Sequence, residues 1–187
     1  MTSTTLALDE VTRNAAEELE SNGEKLCINK VYMWQNNMPR ISVSGQAARK
    51  GQHMTVHIKR TKPDSSTLSN TPPVVTRLHA FQINSADQLA AFTSSSNLSG
   101  EGSNYFSWAV PSASSNDAQA GAVDETTARQ QNVALVRPTG WRGYPDEIEI
   151  QAWDGPDWGA GKDFVAVVEF EGGLVLRSDV QTADTVC

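Results

Sequence analysis

Glu147 and Glu149 stand two residues apart in Glu-Ile-Glu-Ile-Gln-Ala, a run whose alternation predicts a β-strand. On a strand this spacing puts both carboxylates on one face, about 6.7 Å apart. Carboxyl groups at such a separation are the working parts of a glycosidase. Catalysis also needs one of them kept protonated and the other ionised, and nothing in the run sets their surroundings apart. The polar outer face of an ordinary strand produces the same pair, so no catalytic residue is assigned.

The turns on either side are richer. Trp141, Arg142, Tyr144 and Asp146 precede the strand, and Trp153 and Trp158 follow it, so three of the five tryptophans lie in this stretch. Flat rings beside charged groups hold a sugar by stacking on its face and bonding its hydroxyls. These six residues form the candidate ligand-binding set. The competing reading is that the rings plug the end of a small core, and ring exposure separates the two. Asp154, Asp157 and Asp163 surround Gly155, Gly159 and Gly161. Carboxylates along a glycine-rich turn are a calcium-friendly arrangement, although the spacing is not that of an EF-hand. The alternative is a polar loop whose aspartates bond their own backbone. Calcium is the one cofactor this chain suggests.

Other chemistries find less support. His53 and His57 share a strand face but lie about 13 Å apart along it, too far to ligate one metal. His57 and His79 facing each other across neighbouring strands would still need a third ligand. Cys27 and Cys187 are the two cysteines. They either close a very long loop as a disulfide or stay free, and Cys27 lacks an evident activating group for thiol catalysis. Neither a Gly-x-Ser-x-Gly elbow nor a Gly-x-x-x-x-Gly-Lys phosphate loop is present.

The chain has 187 residues and a formal net charge of −7. This length suits one domain with a proper core. The acidity argues against nucleic acid, which demands clustered Lys and Arg, and against anionic membranes. No apolar run approaches the roughly 20 residues of a membrane span. The start, Met1-Thr2-Ser3-Thr4, lacks the basic residues and apolar stretch of a secretory signal. That favours a cytoplasmic start over a secreted one.

Residues 9–22 predict a helix, with Asp9 as its cap and Asn22-Gly23 as its stop. Its stripe of Leu8, Val11, Ala15 and Leu19 is narrow. From Cys27 onward the apolar period changes to two. Strands are predicted over residues 27–34, 40–44, 54–60, 74–83, 105–110, 133–137, 147–153, 164–170 and 174–177. Glu171-Gly172-Gly173 joins the last two as a hairpin. Three long polar connections, 61–73, 93–104 and 111–131, are placed to carry recognition, the last with a short helix near 124–131. Tyr32, Trp34, Phe81, Tyr105, Phe106, Trp108, Phe164 and Phe170 fall within strands and are expected mostly in the core.

Some nine strands with turns between them predict an all-β antiparallel sandwich. Residues 39–58, Pro-Arg-Ile-Ser-Val-Ser-Gly-Gln and onward to Met54-Thr-Val-His-Ile, resemble the paired strands at the sandwich end of bacterial immunoglobulin-like domains. The expected organisation is an N-terminal helix or arm over 1–25 and a single immunoglobulin-like β-sandwich over 26–187. The expected function is a non-catalytic binding or assembly module that engages a protein partner, or its own copy, through loops and sheet edges. A carbohydrate-binding module using Trp141, Tyr144 and Trp158 is the alternative, and a glycoside hydrolase the next.

Overall fold

Alternating apolar residues build two sheets whose inner faces close on one core. A computed structural model describes residues 15–36, 52–63, 67–68, 72–83, 105–111, 123–156, 158 and 161–186. Within them run β1 (Ala15–Ala16), β2 (Glu18–Ser21), β3 (Glu24–Asn36), β4 (His53–Thr61), β5 (Val75–Ile83) and β6 (Tyr105–Ala109). After helix α1 (Glu125–Gln131) come β7 (Leu135–Val136), β8 (Glu147–Ala152), β9 (Asp163–Phe170), β10 (Val175–Arg177), β11 (Gln181–Thr182) and β12 (Asp184–Val186). The first sheet has the order β1-β10-β9-β5-β6, with β11 also on β9. The second has the order β12-β3-β4-β8-β7, with β2 also on β3. Among the described strands the chain changes sheet five times, between β1 and β2, β4 and β5, β6 and β7, β8 and β9, and β11 and β12.

The result is a sandwich-like β fold of two packed sheets. Leu26, Met33, Met54, Val56, Ile58, Ile148 and Ile150 of the second sheet meet Leu78, Trp108, Phe164, Ala166, Val168 and Leu176 of the first. Each large side chain buried in this way contributes about 1.5–3 kcal/mol. Trp108 also ties together segments distant in sequence, its indole Nε1 donating to the Trp153 carbonyl at 2.8 Å. Among the described residues no helix is long and apolar enough to cross a membrane.

The predicted helix over 9–22 is overturned where it is described. Residues 15–16 and 18–21 are strands, and Asn22-Gly23 is a hairpin turn: Ser21 pairs with Glu24, and φ is 53° at Asn22 and 77° at Gly23. Two central residues with positive φ are what a two-residue hairpin turn requires, and Asn-Gly suits that turn as well as it suits a helix stop. The narrow stripe decides between them. As a strand, β2 pairs its whole backbone with β3 and sets Leu19 opposite Leu26, more than a thinly apolar helix would gain. Residues 9–14 lie outside the described residues, as do the predicted strand 40–44 and residues 39–51 of the resemblance.

The expected antiparallel arrangement also changes. Both sheets are mixed, because β1 pairs parallel with β10 and β12 parallel with β3. Parallel neighbours need a long connection rather than a tight turn, and these strands lie far apart in the chain. The short helix near 124–131 forms as α1, with the Asp124 carboxylate accepting from the Thr127 N–H at 2.7 Å. The 171–173 hairpin forms too, with φ of 90° and 84° at Gly172 and Gly173.

Candidate functional site

A β-bulge in β3 decides what the outer face of the second sheet carries. Strict alternation from Leu26 and Ile28 would send Lys30, Tyr32 and Trp34 into the core. Instead Ile28 pairs with Ile58 and Lys30 with His57, which leaves Asn29 as an extra residue without a partner on β4. The phase jumps, so Val31 and Met33 join the core and Lys30, Tyr32 and Trp34 turn outward. Bulges re-aim side chains in this way beside functional sites. Three rows result across β3, β4 and β8: Lys30, His57 and Glu149; Tyr32, Thr55 and Gln151; and Trp34 beside His53.

The floor of this face is a buried polar cluster. His57 is 5% exposed and stands between the two glutamates, with Nε2 3.1 Å from Glu149 Oε1 and Nδ1 3.6 Å from Glu147 Oε1. Arg142 grips Glu149 with two hydrogen bonds, from Nε at 2.9 Å and Nη2 at 2.8 Å. Those bonds hold the guanidinium still more firmly protonated than usual. Gln151 Nε2 donates to Glu149 at 2.6 Å, and the bulged Asn29 donates to Glu147 at 3.0 Å. Buried carboxylates demand such partners.

The segment between β7 and β8 brings Arg142 and Tyr144 over the floor. Gly140 and Gly143, with φ of 87° and 94°, let it double back. Backbone bonds from Arg137 N to Glu149 O, Gly140 N to Glu147 O and Arg60 N to Asp146 O pin it to the sheet at 2.8, 3.0 and 2.7 Å. Arg60 also donates to Thr139 Oγ1 at 3.0 Å, while a buried bidentate pair with Glu24, at 2.9 and 2.7 Å, fixes its guanidinium. The cleft so formed has a volume of about 310 Å³ and is lined by Lys30, Tyr32, Trp34, Thr55, His57, Arg142 and Tyr144. Tyr32 and Tyr144 are 44% and 45% exposed. Tyr32 lies 6.3 Å from Trp34 and 6.0 Å, edge to face, from His57. The Lys30 ammonium sits 4.8 Å from the centre of the Tyr144 ring, a cation–π contact.

The six candidate binding residues are thus divided. Arg142 and Tyr144 line the cleft. Trp141 is exposed beyond it, with the Arg137 guanidinium 4.4 Å from its ring centre. Asp146 lies 4.0 Å from Lys59 Nζ. Trp153 and Trp158 are elsewhere: Trp153 is half-buried against Arg129 and its carbonyl holds Trp108, and Trp158 packs on the main core. Lys30, Tyr32, Trp34 and Thr55 were not anticipated as site residues. The signal that finds them is the break in period, where Leu26 and Ile28 are followed by Val31 and Met33 and Lys30 stands where strict alternation requires an apolar residue.

Glu147 and Glu149 do share a face, but they turn toward His57 and do not line the cleft. His57 and His79 are not neighbours, since β4 and β5 belong to different sheets. All three histidines are buried although they stand on the outward sides of their sheets. His79 accepts or donates at 2.8 Å to the Tyr105 hydroxyl and at 3.2 Å to Glu169 Oε1. Cys27 is a free, half-buried thiol, and burial, then the Glu18 charge, raises its pKa, the reverse of an activated nucleophile. Cys187 lies outside the described residues.

Of the calcium set, Asp163 accepts from the Thr182 hydroxyl at 2.8 Å at the start of β9. Asp154 occupies a left-handed turn with φ 53°, and Asp157 lies outside the described residues. Among the described residues no group of three or more His, Cys, Asp or Glu side chains is placed to hold a metal ion. No protein-family model, curated protein or solved structure matches this chain significantly.

Proposed function

We propose that the protein is a non-catalytic binding module that holds a carbohydrate ring in the cleft on the outer face of its second sheet. The mostly β fold, with little helix, is a scaffold of the kind that carries such surfaces. One observation carries the reading: Tyr32, Trp34 and Tyr144 open to solvent around a floor whose Glu149 carboxylate is already paired with Arg142. Rings of this kind stack on a sugar face, and the Thr55 and tyrosine hydroxyls can bond its edge. The volume falls at the lower end of the range for ligand pockets, about 300–1,000 Å³. Acid–base chemistry is not part of the proposal, because the Glu149 oxygens are occupied by Arg142, Gln151 and His57.

Titration of the protein with a panel of glycans, followed by tryptophan fluorescence, tests this. A bound sugar is expected to perturb Trp34 emission. Tyr144→Ala is expected to weaken binding about ten-fold, the scale of one lost stacking contact. Binding unchanged in both Tyr144→Ala and Tyr32→Ala would sink the reading.

A protein partner or a second copy, engaged through loops and sheet edges, is the second reading. It is favoured by β6, a five-residue edge strand paired along one side only, with β5, among the described strands. Native mass spectrometry over a concentration series checks it, and a persistent monomer sets self-association aside.

A further inference from the structure

We infer that the ligand of this cleft is an acidic sugar, a hexuronate bearing one carboxylate, and that Lys30 is the residue that recognises its charge. The inference rests on the carbohydrate reading above and adds the ligand's charge. Its ground is the unequal state of the cations on this face. Arg142 is committed to Glu149 in a bidentate pair at 2.9 and 2.8 Å. Lys25 and Lys59, on the same sheet, stand 3.6 Å from Glu18 and 4.0 Å from Asp146. Lys30 lines the cleft, yet among the described residues its ammonium faces only the Tyr144 ring, at 4.8 Å, and no carboxylate.

This ammonium, held against a ring, has no carboxylate partner there among the described residues, and the ring fixes its position. A ligand stacked on Tyr144 therefore has a cation at its edge. Neither carboxylate below lines the cleft. Glu149 is neutralised by Arg142, and Glu147 keeps its charge but is turned away toward Asn29 and His57. The bulge is what brings Lys30 to this position, opposite His57.

The count of free cations limits the ligand. One lysine suits a single carboxylate. A phosphate site gathers a helix N-terminus or several basic groups, and a nucleic-acid strand needs a basic groove. Among the described residues no helix N-terminus reaches the cleft, and of its basic groups His57 and Arg142 are already turned to Glu149, while a net charge of −7 repels a polyanion. A cationic ligand is disfavoured by Lys30 itself.

The experiment compares methyl glucoside with methyl glucuronide, and the corresponding galacto and manno pairs, by calorimetric titration of the whole chain. The members of each pair differ only at C6, a hydroxymethyl against a carboxylate. In the preferred pair the uronide is expected to bind about five-fold more tightly, the scale of one partly screened ion pair. Added salt is expected to narrow the gap. Lys30→Met, which keeps the stem on Tyr144, is expected to close it, and Lys30→Arg to retain it. Equal affinities within every pair, or a gap that survives in Lys30→Met, overturn the acidic assignment and leave the carbohydrate reading standing. Failure of all six glycosides to bind the wild-type protein overturns both.

Discussion

Gly155 sits where no other residue fits. A Cβ there would overlap the six-membered ring of Trp108 and stand 2.9 Å from the Gln52 carbonyl. That carbonyl accepts from Gly155 N at 2.9 Å, and Gln52 N donates to Pro156 O at the same distance. The backbone therefore cannot retreat without losing both bonds, and Trp108 is held by its own bond to Trp153. Gly155→Ala is expected to destabilise the protein by about 1–3 kcal/mol, the usual cost of overpacking. Urea unfolding measures this, and a midpoint equal to wild type would show that the indole moves freely. His57 illustrates the opposite economy at the same scale. A buried imidazole flanked by two carboxylates is tolerable only because Arg142, Gln151 and Asn29 satisfy the remaining oxygens.

At the scale of the element, β3 carries both the core and the cleft because it contains one residue too many. With Asn29 removed, the run Leu26, Ile28, Val31 and Met33 alternates without a break, and the same side chains face the same sides. Deleting Asn29 is therefore expected to keep the fold, at about 1–3 kcal/mol for the lost donor to buried Glu147. Deleting Tyr32 instead inverts Met33 and Trp34, or forces Lys30 inward, and is expected to cost several kcal/mol more. Parallel chemical denaturation of the two deletions tests the bulge, since equal losses would mean that it does not set the phase. The turn at Asn22-Gly23 makes a related point. The same dipeptide ends a helix or closes a hairpin, and the partner strand chose the hairpin.

For the whole molecule, each sheet holds a buried histidine on its outward side, and the one in the first sheet makes stability depend on pH. His79, on β5, meets Tyr105 from β6 and Glu169 from β9, with Phe81 and Arg77 on its own strand. In the neutral ring, Nδ1 accepts from the Tyr105 hydroxyl and Nε2–H donates to Glu169. Burial lowers the His79 pKa below its ordinary 6.5, against the opposing pull of Glu169. As pH falls below 6.5 the unfolded chain takes the proton before the folded one does. Stability is thus full above that value and declines until the folded pKa is passed, by about 1.4 kcal/mol for each unit of depression. The Glu169 pKa is also lowered, chiefly by the hydrogen bond from His79. Its contribution is present above the ordinary 4.5 and is lost as pH falls through the folded value. Unfolding free energies measured from neutral pH to about pH 5 are expected to fall, and His79→Gln is expected to flatten that slope. An unaltered slope in the variant would place the titration elsewhere.

The sequence by itself determined the class of fold and most of the strands. Residues 54–60 and 147–153 alternate regularly enough to mark one core-facing side each, and 164–170 is a nearly continuous apolar run whose two faces are both buried. It also marked the segment 141–146 as distinctive, and Arg142 and Tyr144 do line the cleft. Only the tertiary structure decided which rings face water. Tyr32 and Trp34 sit in a strand and read as core by period, and a single unpaired residue reverses them. Trp153, at a strand end, and Trp158, in a turn, suit either a ligand or the closing of the core by sequence; Trp158 packs on the core and the Trp153 backbone holds Trp108. Alternation is local and survives in the sequence. A bulge, a parallel edge strand such as β12, or a ring seated across a sheet boundary depends on a partner far along the chain, so its consequence cannot be read from its neighbours alone.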